Sequence, residues 1–142
     1  MPRFLVNMAR LYELFVAEWL KAHLPRWWLL KAQEKVSISL QTGLHFDIDL
    51  VLYDAVTGRA CCVLDTKYKA APHPDPADIA QVVAYAEAKG CNEALLVYPW
   101  QVPSPLDEKI GRISVRSSVF PLDGDIEWAG RQFLDRLLAQ TS

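Results

Sequence analysis

The sequence predicts a mixed α/β fold, and three of its features predict it. Residues 3 to 24 carry apolar side chains at helical spacing. From Lys35 to Tyr68 the pattern changes to apolar–polar alternation in three successive runs, which reads as three strands. A second helical stretch, about 77 to 89, leads into the apolar run Ala94-Leu-Leu-Val-Tyr98, suited to a strand covered on both faces. At 142 residues, with 51% hydrophobic and 23% charged residues, the chain has the size and composition of one globular domain spanning 1–142. A net charge of -2 excludes a strongly basic nucleic-acid coat protein but not a site with a local positive field. Cys61 and Cys62 are adjacent in a predicted strand and no zinc-like spacing occurs, so buried reduced thiols are expected. Arg3, Asn7, Arg10 and Glu13 interrupt the amino-terminal apolar pattern, which argues against a signal peptide. No apolar run reaches spanning length, so a soluble cytoplasmic protein without membrane contact is expected.

Each element has its own signals. Pro2 is tolerated near the start of the first helix and Pro25 stops it. Arg3, Asn7, Arg10, Glu18 and Lys21 fall in one arc, the solvent face. Glu13 falls elsewhere, among Val6, Ala9, Val16, Ala17, Leu20 and Leu24. A carboxylate there needs a partner: either Arg10 three residues back, or a cation, a donor or a metal-bound water within the fold. Pro25 to Leu30 reads as a connection whose Trp27 and Trp28 suit a core or an interface better than base stacking. A strand over 35–42 has one wet face, and Thr42-Gly43 turns it into a second strand over 46–53. Asp54 to Gly58 supplies the next turn, before a third strand over 60–68. The three run consecutively, as an antiparallel meander.

The chemistry concentrates in the second and third strands. Phe46, Ile48, Leu50 and Leu52 alternate with Asp47, Asp49, Val51 and Tyr53, and Asp65 and Lys67 share a face of the third strand. If the register sets Asp49 across from them, two carboxylates and an ammonium converge. Carboxylates that close repel, so at least one pKa should be raised, and a hard divalent cation such as Mg²⁺ suits the space between them. The same residues also read as a surface hairpin carrying an Asp–Lys ion pair.

Beyond Lys69 a Pro-rich loop ends at Asp75, a good N-cap, followed by Pro76 at the first helical position and Asp78 near the positive helix end. Gly90 closes this helix, whose core stripe is Ile79, Val82, Val83 and Ala86. Gln81 and Tyr85 lie together on the flank, facing either a cleft or water. His73 reads as a solvated loop residue. The strand over 93–98 follows through a helix, which suggests parallel pairing. Residues 99–111 read as a loop, 112–120 as a strand, and Asp123-Gly-Asp125 opens a last helix over 126–139 in which Trp128, Phe133, Leu137 and Leu138 can pack inward.

The ordered text MARLYELFVAEWL, DLVLYD, VLDTKYK, DIAQVVAYA and ALLVYP resembles the PD-(D/E)xK nuclease superfamily, and within it the nuclease domain of McrC-type subunits of 5-methylcytosine restriction systems. The resemblance runs from Phe4 to the final helix. It implies a restriction-endonuclease-like α/β core: helix, three-stranded meander, helix, strand, strand, with a C-terminal helix. It implies a metal-dependent DNA endonuclease using Mg²⁺, or Mn²⁺ in its place. Asp49 and Asp65 would bind the ion with the Thr66 carbonyl, and Glu13 would reach it directly or through water. Lys67 would position the attacking water, Gln81 would orient Lys67 or that water, and Tyr85 would support it or touch the DNA backbone. Two departures stand out. Ile48 precedes Asp49 where the superfamily signature has Pro, and Asp47, on the same predicted strand face, is a second candidate ligand. Full subunits of this type also carry an amino-terminal region that engages a nucleotide-driven AAA+ motor. This chain begins at the nuclease helix, so an excised domain or a stand-alone relative is expected. DNA, a motor subunit and a second copy of the chain, for double-strand cutting, are the expected partners. Two other functions fit the same residues: an idle nuclease-fold binding or assembly module, and a nuclease acting on RNA or branched DNA.

Overall fold

A computed structural model describes residues 3–141, with side chains from residue 8 onward. Pro2 and the side chains of Arg3, Val6 and Asn7 lie outside the described residues. The elements are α1 (Arg3–His23), β1 (Trp28–Ser37), β2 (His45–Asp54), β3 (Ala60–Thr66), α2 (Pro76–Lys89), β4 (Glu93–Tyr98), β5 (Asp107–Ile110), β6 (Ile113–Val119) and α3 (Ile126–Thr141). The strands form one open six-stranded sheet in the order β1-β2-β3-β4-β6-β5. β1, β2 and β3 pair antiparallel, as the meander predicts. β4 joins β3 in parallel through α2, and β6 joins β4 in parallel.

Helices cover both sheet faces, which is why β4 is apolar and buried from Ala94 to Tyr98. On one face Tyr12, Val16 and Leu20 of α1 and Phe133, Leu134 and Leu137 of α3 pack on Leu50, Leu52, Cys62, Leu64, Leu95 and Val97. On the other, Val82, Tyr85 and Ala86 of α2 pack on Ile48, Val51, Val63, Ala94 and Leu96. Asp75 caps α2 by accepting the Ala77 N–H at 2.8 Å, and Gly90 ends it at φ 72° while its own N–H returns to the last carbonyls.

Four expectations are corrected. β1 begins at Trp28 rather than 35 and ends at Ser37, because Trp28 to Lys31 pair with Val51 to Asp54 while residues 38–42 close the hairpin turn. The unbroken apolar run Trp27 to Leu30 has no period to reveal a strand. β5 lies inside the stretch read as a loop; its four residues are all exposed and carry no apolar signal. Trp128 is 64% exposed rather than packed inward, since α3 turns Phe133 and Leu137 to the sheet instead.

The fourth correction bears on function. Phe46, Ile48, Leu50 and Leu52 do not share one face. Leu50 and Leu52 join the core beneath α1 and α3, whereas Ile48 is buried in, and Phe46 packs against, the core beneath α2. β1 makes the same change: Leu30 and Ala32 belong with the first core and Val36 with the second. Register is unchanged across the switch, from Ala32↔Leu50 to Glu34↔Ile48, with no pairing between Gln33 and Asp49. Gln33 has φ 53°, in the left-handed region, and is the one such non-glycine among the described residues. The two strands thus rotate together by about half a turn at Gln33 and Asp49.

Candidate active site

That rotation explains where Asp49 points. The β2–β3 ladder stops at Leu50↔Leu64. Beyond it the Lys67 N–H goes to Val97 O on β4, so by strand alternation the Thr66 N–H faces β2. No β2 carbonyl meets it. Asp49 Oδ2 accepts it instead, at 3.0 Å, and accepts the Thr66 hydroxyl at 3.0 Å as well. The carboxylate therefore fills a missing rung in the sheet, which holds it beside Asp65.

Asp65 lies on the face covered by α2 and is 4% exposed, the one buried charged residue among those described. Its Oδ2 is 2.9 Å from Lys67 Nζ, but the approach is too oblique for a hydrogen bond, so this oxygen has a charge beside it and no directed donor. Burial first, and then the Asp49 carboxylate, push the Asp65 pKa up to about 7, against the opposing pull of Lys67. Burial alone would lower the Lys67 pKa; Asp65, Asp78 and Asp49 more than offset this and raise it, so the ammonium is held charged.

Glu13 enters from α1 with only 14% of its side chain exposed. Both sequence expectations for it hold in part: Arg10 donates to it at 2.8 Å, and it also turns inward, where the Gln33 amide donates to the same oxygen. Burial and then Asp49 raise its pKa. From α2, Tyr85 is buried with its ring edge against Phe46 at 5.2 Å, while Gln81 is exposed on the rim. Glu13, Asp49, Asp65, Thr66, Lys67, Gln81 and Tyr85 all line one cavity of about 340 Å³, with Ala9 and Arg10. Larger cavities exist, including one of about 510 Å³ between β5, β6 and α3. Chemistry rather than size singles out the smaller one, because there the Asp49 and Asp65 carboxylates and the Lys67 ammonium meet.

Asp47 is not in the cavity. It is 51% exposed and pairs with Lys35 at 3.3 Å, because the half-turn at Asp49 sends residues 47 and 49 in different directions. Sequence reasoning missed three residues. Asp78 sits 3.5 Å from Lys67 Nζ and 2.6 Å from Lys69 Nζ. Its spacing to Gln81 and Tyr85, three and seven residues on, is a helical-face signal that could have found it. Arg10 was visible as the i−3 partner of Glu13. Nothing in the sequence marks Gln33.

The donor set is hard oxygen: two carboxylates within reach of one another and a main-chain segment, with no thiol or imidazole among the described residues that line the cavity. That chemistry and the undonated Asp65 oxygen fit Mg²⁺, which takes few protein ligands and keeps its waters. Among the described residues no group of three His, Cys, Asp or Glu side chains converges closely enough to hold a metal by itself.

Every residue of this cavity falls within residues 1–99, and that segment matches the sequence model of McrBC, described as a 5-methylcytosine restriction system component. The chain belongs to the McrBC family. No curated protein matches it. The McrBC match takes in α1 through β4, the elements that build the cavity, and stops before β5, β6 and α3. Among the described residues no helix is long and apolar enough to cross a membrane.

Proposed function

We propose that this McrBC-family chain is a Mg²⁺-dependent endonuclease domain, spanning 1–142 as one PD-(D/E)xK unit, that hydrolyses DNA phosphodiesters for a restriction system. What supports this most is the meeting of Asp49, Asp65 and Lys67 in one cavity with an Asp65 oxygen buried and undonated. Asp49 and Asp65 would hold the ion. The Thr66 carbonyl would help, since it faces the same side of the strand as the Thr66 N–H. Glu13 would act directly or through water. Bound there, Mg²⁺ would polarise a phosphate oxygen and make a bound water more acidic. The chain's own residues do the rest. Lys67, kept charged by Asp65 and Asp78, holds the attacking water and balances charge on the phosphate. Gln81 orients that water from the rim, and Tyr85, braced by Phe46, supports Lys67 or meets the DNA backbone. The expected product carries a 5′-phosphate.

The family description supports DNA as the polymer and a partner subunit; we assign that subunit as an AAA+ motor, with a second copy of the chain providing the other cut. The test is cleavage of plasmid DNA with Mg²⁺ or Mn²⁺ and with chelator. Wild type should cut only with metal, and Lys67→Ala should cut at least about 100-fold more slowly. Equal cutting by Lys67→Ala removes the role given to Lys67.

A second reading is a nuclease-fold binding or assembly module. The observation favouring it is that Glu13 is already engaged by Arg10 and Gln33, which leaves two carboxylates rather than three for a metal. A flat Mg²⁺ titration by calorimetry in the presence of DNA would favour it. Parallel assays with RNA and branched DNA fix the polymer.

A further inference from the structure

We propose that Gln33 is a positioning residue of this site: its side-chain amide, presented by a left-handed backbone, holds the Glu13 carboxylate turned into the cavity that Asp49 lines. The inference rests on the nuclease reading above. Three observations about one residue carry it. Gln33 has φ 53°, a conformation that side chains other than Gly, Asn and Asp rarely adopt. It stands where the β1–β2 register skips the Gln33–Asp49 pair, so the same irregularity frees Asp49 from the ladder. Its amide donates to Glu13, twenty residues away on α1.

Strain of this kind persists where surrounding contacts over-determine it, and it gathers at functional sites. Gln33 is on the edge strand, is exposed, and packs in neither apolar core. Core packing therefore does not account for its backbone. The contact it does make ties β1 to α1 through a carboxylate of the cavity. Arg10 also holds Glu13, but from one turn away on the same helix, so it cannot fix the helix against the sheet. An amide fits this role because it donates to Glu13 without adding a cation that would compete with a metal for the same oxygens.

Two variants test this, each compared with wild type for melting temperature and for the kcat and KM of Mg²⁺-dependent cleavage. Gln33→Gly keeps the left-handed backbone without strain and deletes the amide. It should melt no lower than wild type, while kcat falls about tenfold and KM for DNA stays the same, as expected on losing one charged hydrogen bond. Gln33→Glu keeps the size and replaces the donor by an acceptor beside Glu13. It should lose more kcat than Gln33→Gly, a distinction that a purely structural role would not produce. Wild-type kcat in either folded variant overturns the role of Gln33 and leaves the nuclease reading standing. A wild-type chain that neither binds Mn²⁺ nor cuts nucleic acid overturns the nuclease reading, and the role of Gln33 with it.

Discussion

Two regions of this molecule solve opposite problems. Where α1 crosses α3, Trp19 lies against Gly130, stacks on His23 at 3.8 Å and meets Phe120 edge-on at 5.2 Å. A Cβ added at Gly130 would fall under 3.0 Å from three ring carbons of Trp19. That region is closed by aromatic packing, with one polar atom, the Trp19 indole nitrogen, buried without a partner. At the end of the β2–β3 pair the sheet instead opens. A ladder rung is replaced by a carboxylate, a second carboxylate is buried without a directed donor, and a glutamine sits in a glycine-like conformation. The first region contributes stability; the second forgoes some of it to keep polar groups unspent. Changes at the strand end should therefore raise stability and lower activity, and changes at the helix crossing should lower stability and leave activity intact.

The largest effect should come from Asp65→Asn. It keeps the volume and removes the charge that repels Asp49. Apo stability should rise by about 1–3 kcal/mol while cleavage falls by about 1000-fold or more, read by denaturant melts and plasmid nicking. A variant that is destabilised and still cuts would show that the opened strand end is not held against a stability cost. The opposite region gives the converse. Gly130→Ala should cost about 1–3 kcal/mol, since Trp19 is held on two sides and cannot yield, while the folded fraction keeps its kcat.

A pH series sharpens the same contrast. The Asp65 pKa, ordinarily near 3.8, is raised to about 7 in the folded chain, first by burial and then by Asp49. Between these values the folded chain binds the proton more tightly than the unfolded chain, so unfolding free energy falls as pH rises. The contribution is complete below about pH 4 and gone above about pH 7. Its size is about 1.4 kcal/mol for each unit by which the two pKa values differ. Glu13, also raised, adds in the same direction. Metal-free melts should show this loss, and Mg²⁺ should reverse it near neutral pH. Asp65→Asn should flatten the curve, whereas Gly130→Ala should shift it without changing its shape. Cleavage should rise from acid toward neutral pH, as Asp65 becomes free to take a cation.

How much of this is legible in the sequence depends on whether a feature leaves a periodic trace. The hairpin, the shared face of Asp65 and Lys67, the Asp75 cap and the parallel crossover all follow from local rules that side-chain types express. The start of β1 is hidden because Trp27 to Leu30 is apolar on both faces, and β5 is hidden because Asp107 to Ile110 buries nothing. The half-turn at Gln33 and Asp49 leaves no trace at all. Glutamine has no preference for the left-handed region, so only the tertiary partners of that residue account for it. The consequence is specific. Strict alternation keeps Asp47 and Asp49 on one face and so keeps both as candidate ligands.

The smallest predicted effect tests that consequence. Asp47 is half exposed, and its partners Lys35 and His45 lie on the same hairpin near its tip. An exposed pair of this kind contributes below about 0.5 kcal/mol, so Asp47→Asn should leave stability nearly unchanged. If the half-turn directs the two carboxylates apart, it should also leave Mg²⁺ affinity and kcat within about twofold of wild type, the scatter expected for a surface substitution. Asp49→Asn differs by two positions on the same strand, yet it removes one of the two carboxylates in the cavity, while its amide oxygen can still accept from Thr66. It should abolish metal binding. Calorimetry on the pair decides the matter: equal losses from the two variants would mean that β2 keeps a single face through residue 49 in solution, and that the opening at the end of β3 arises in some other way.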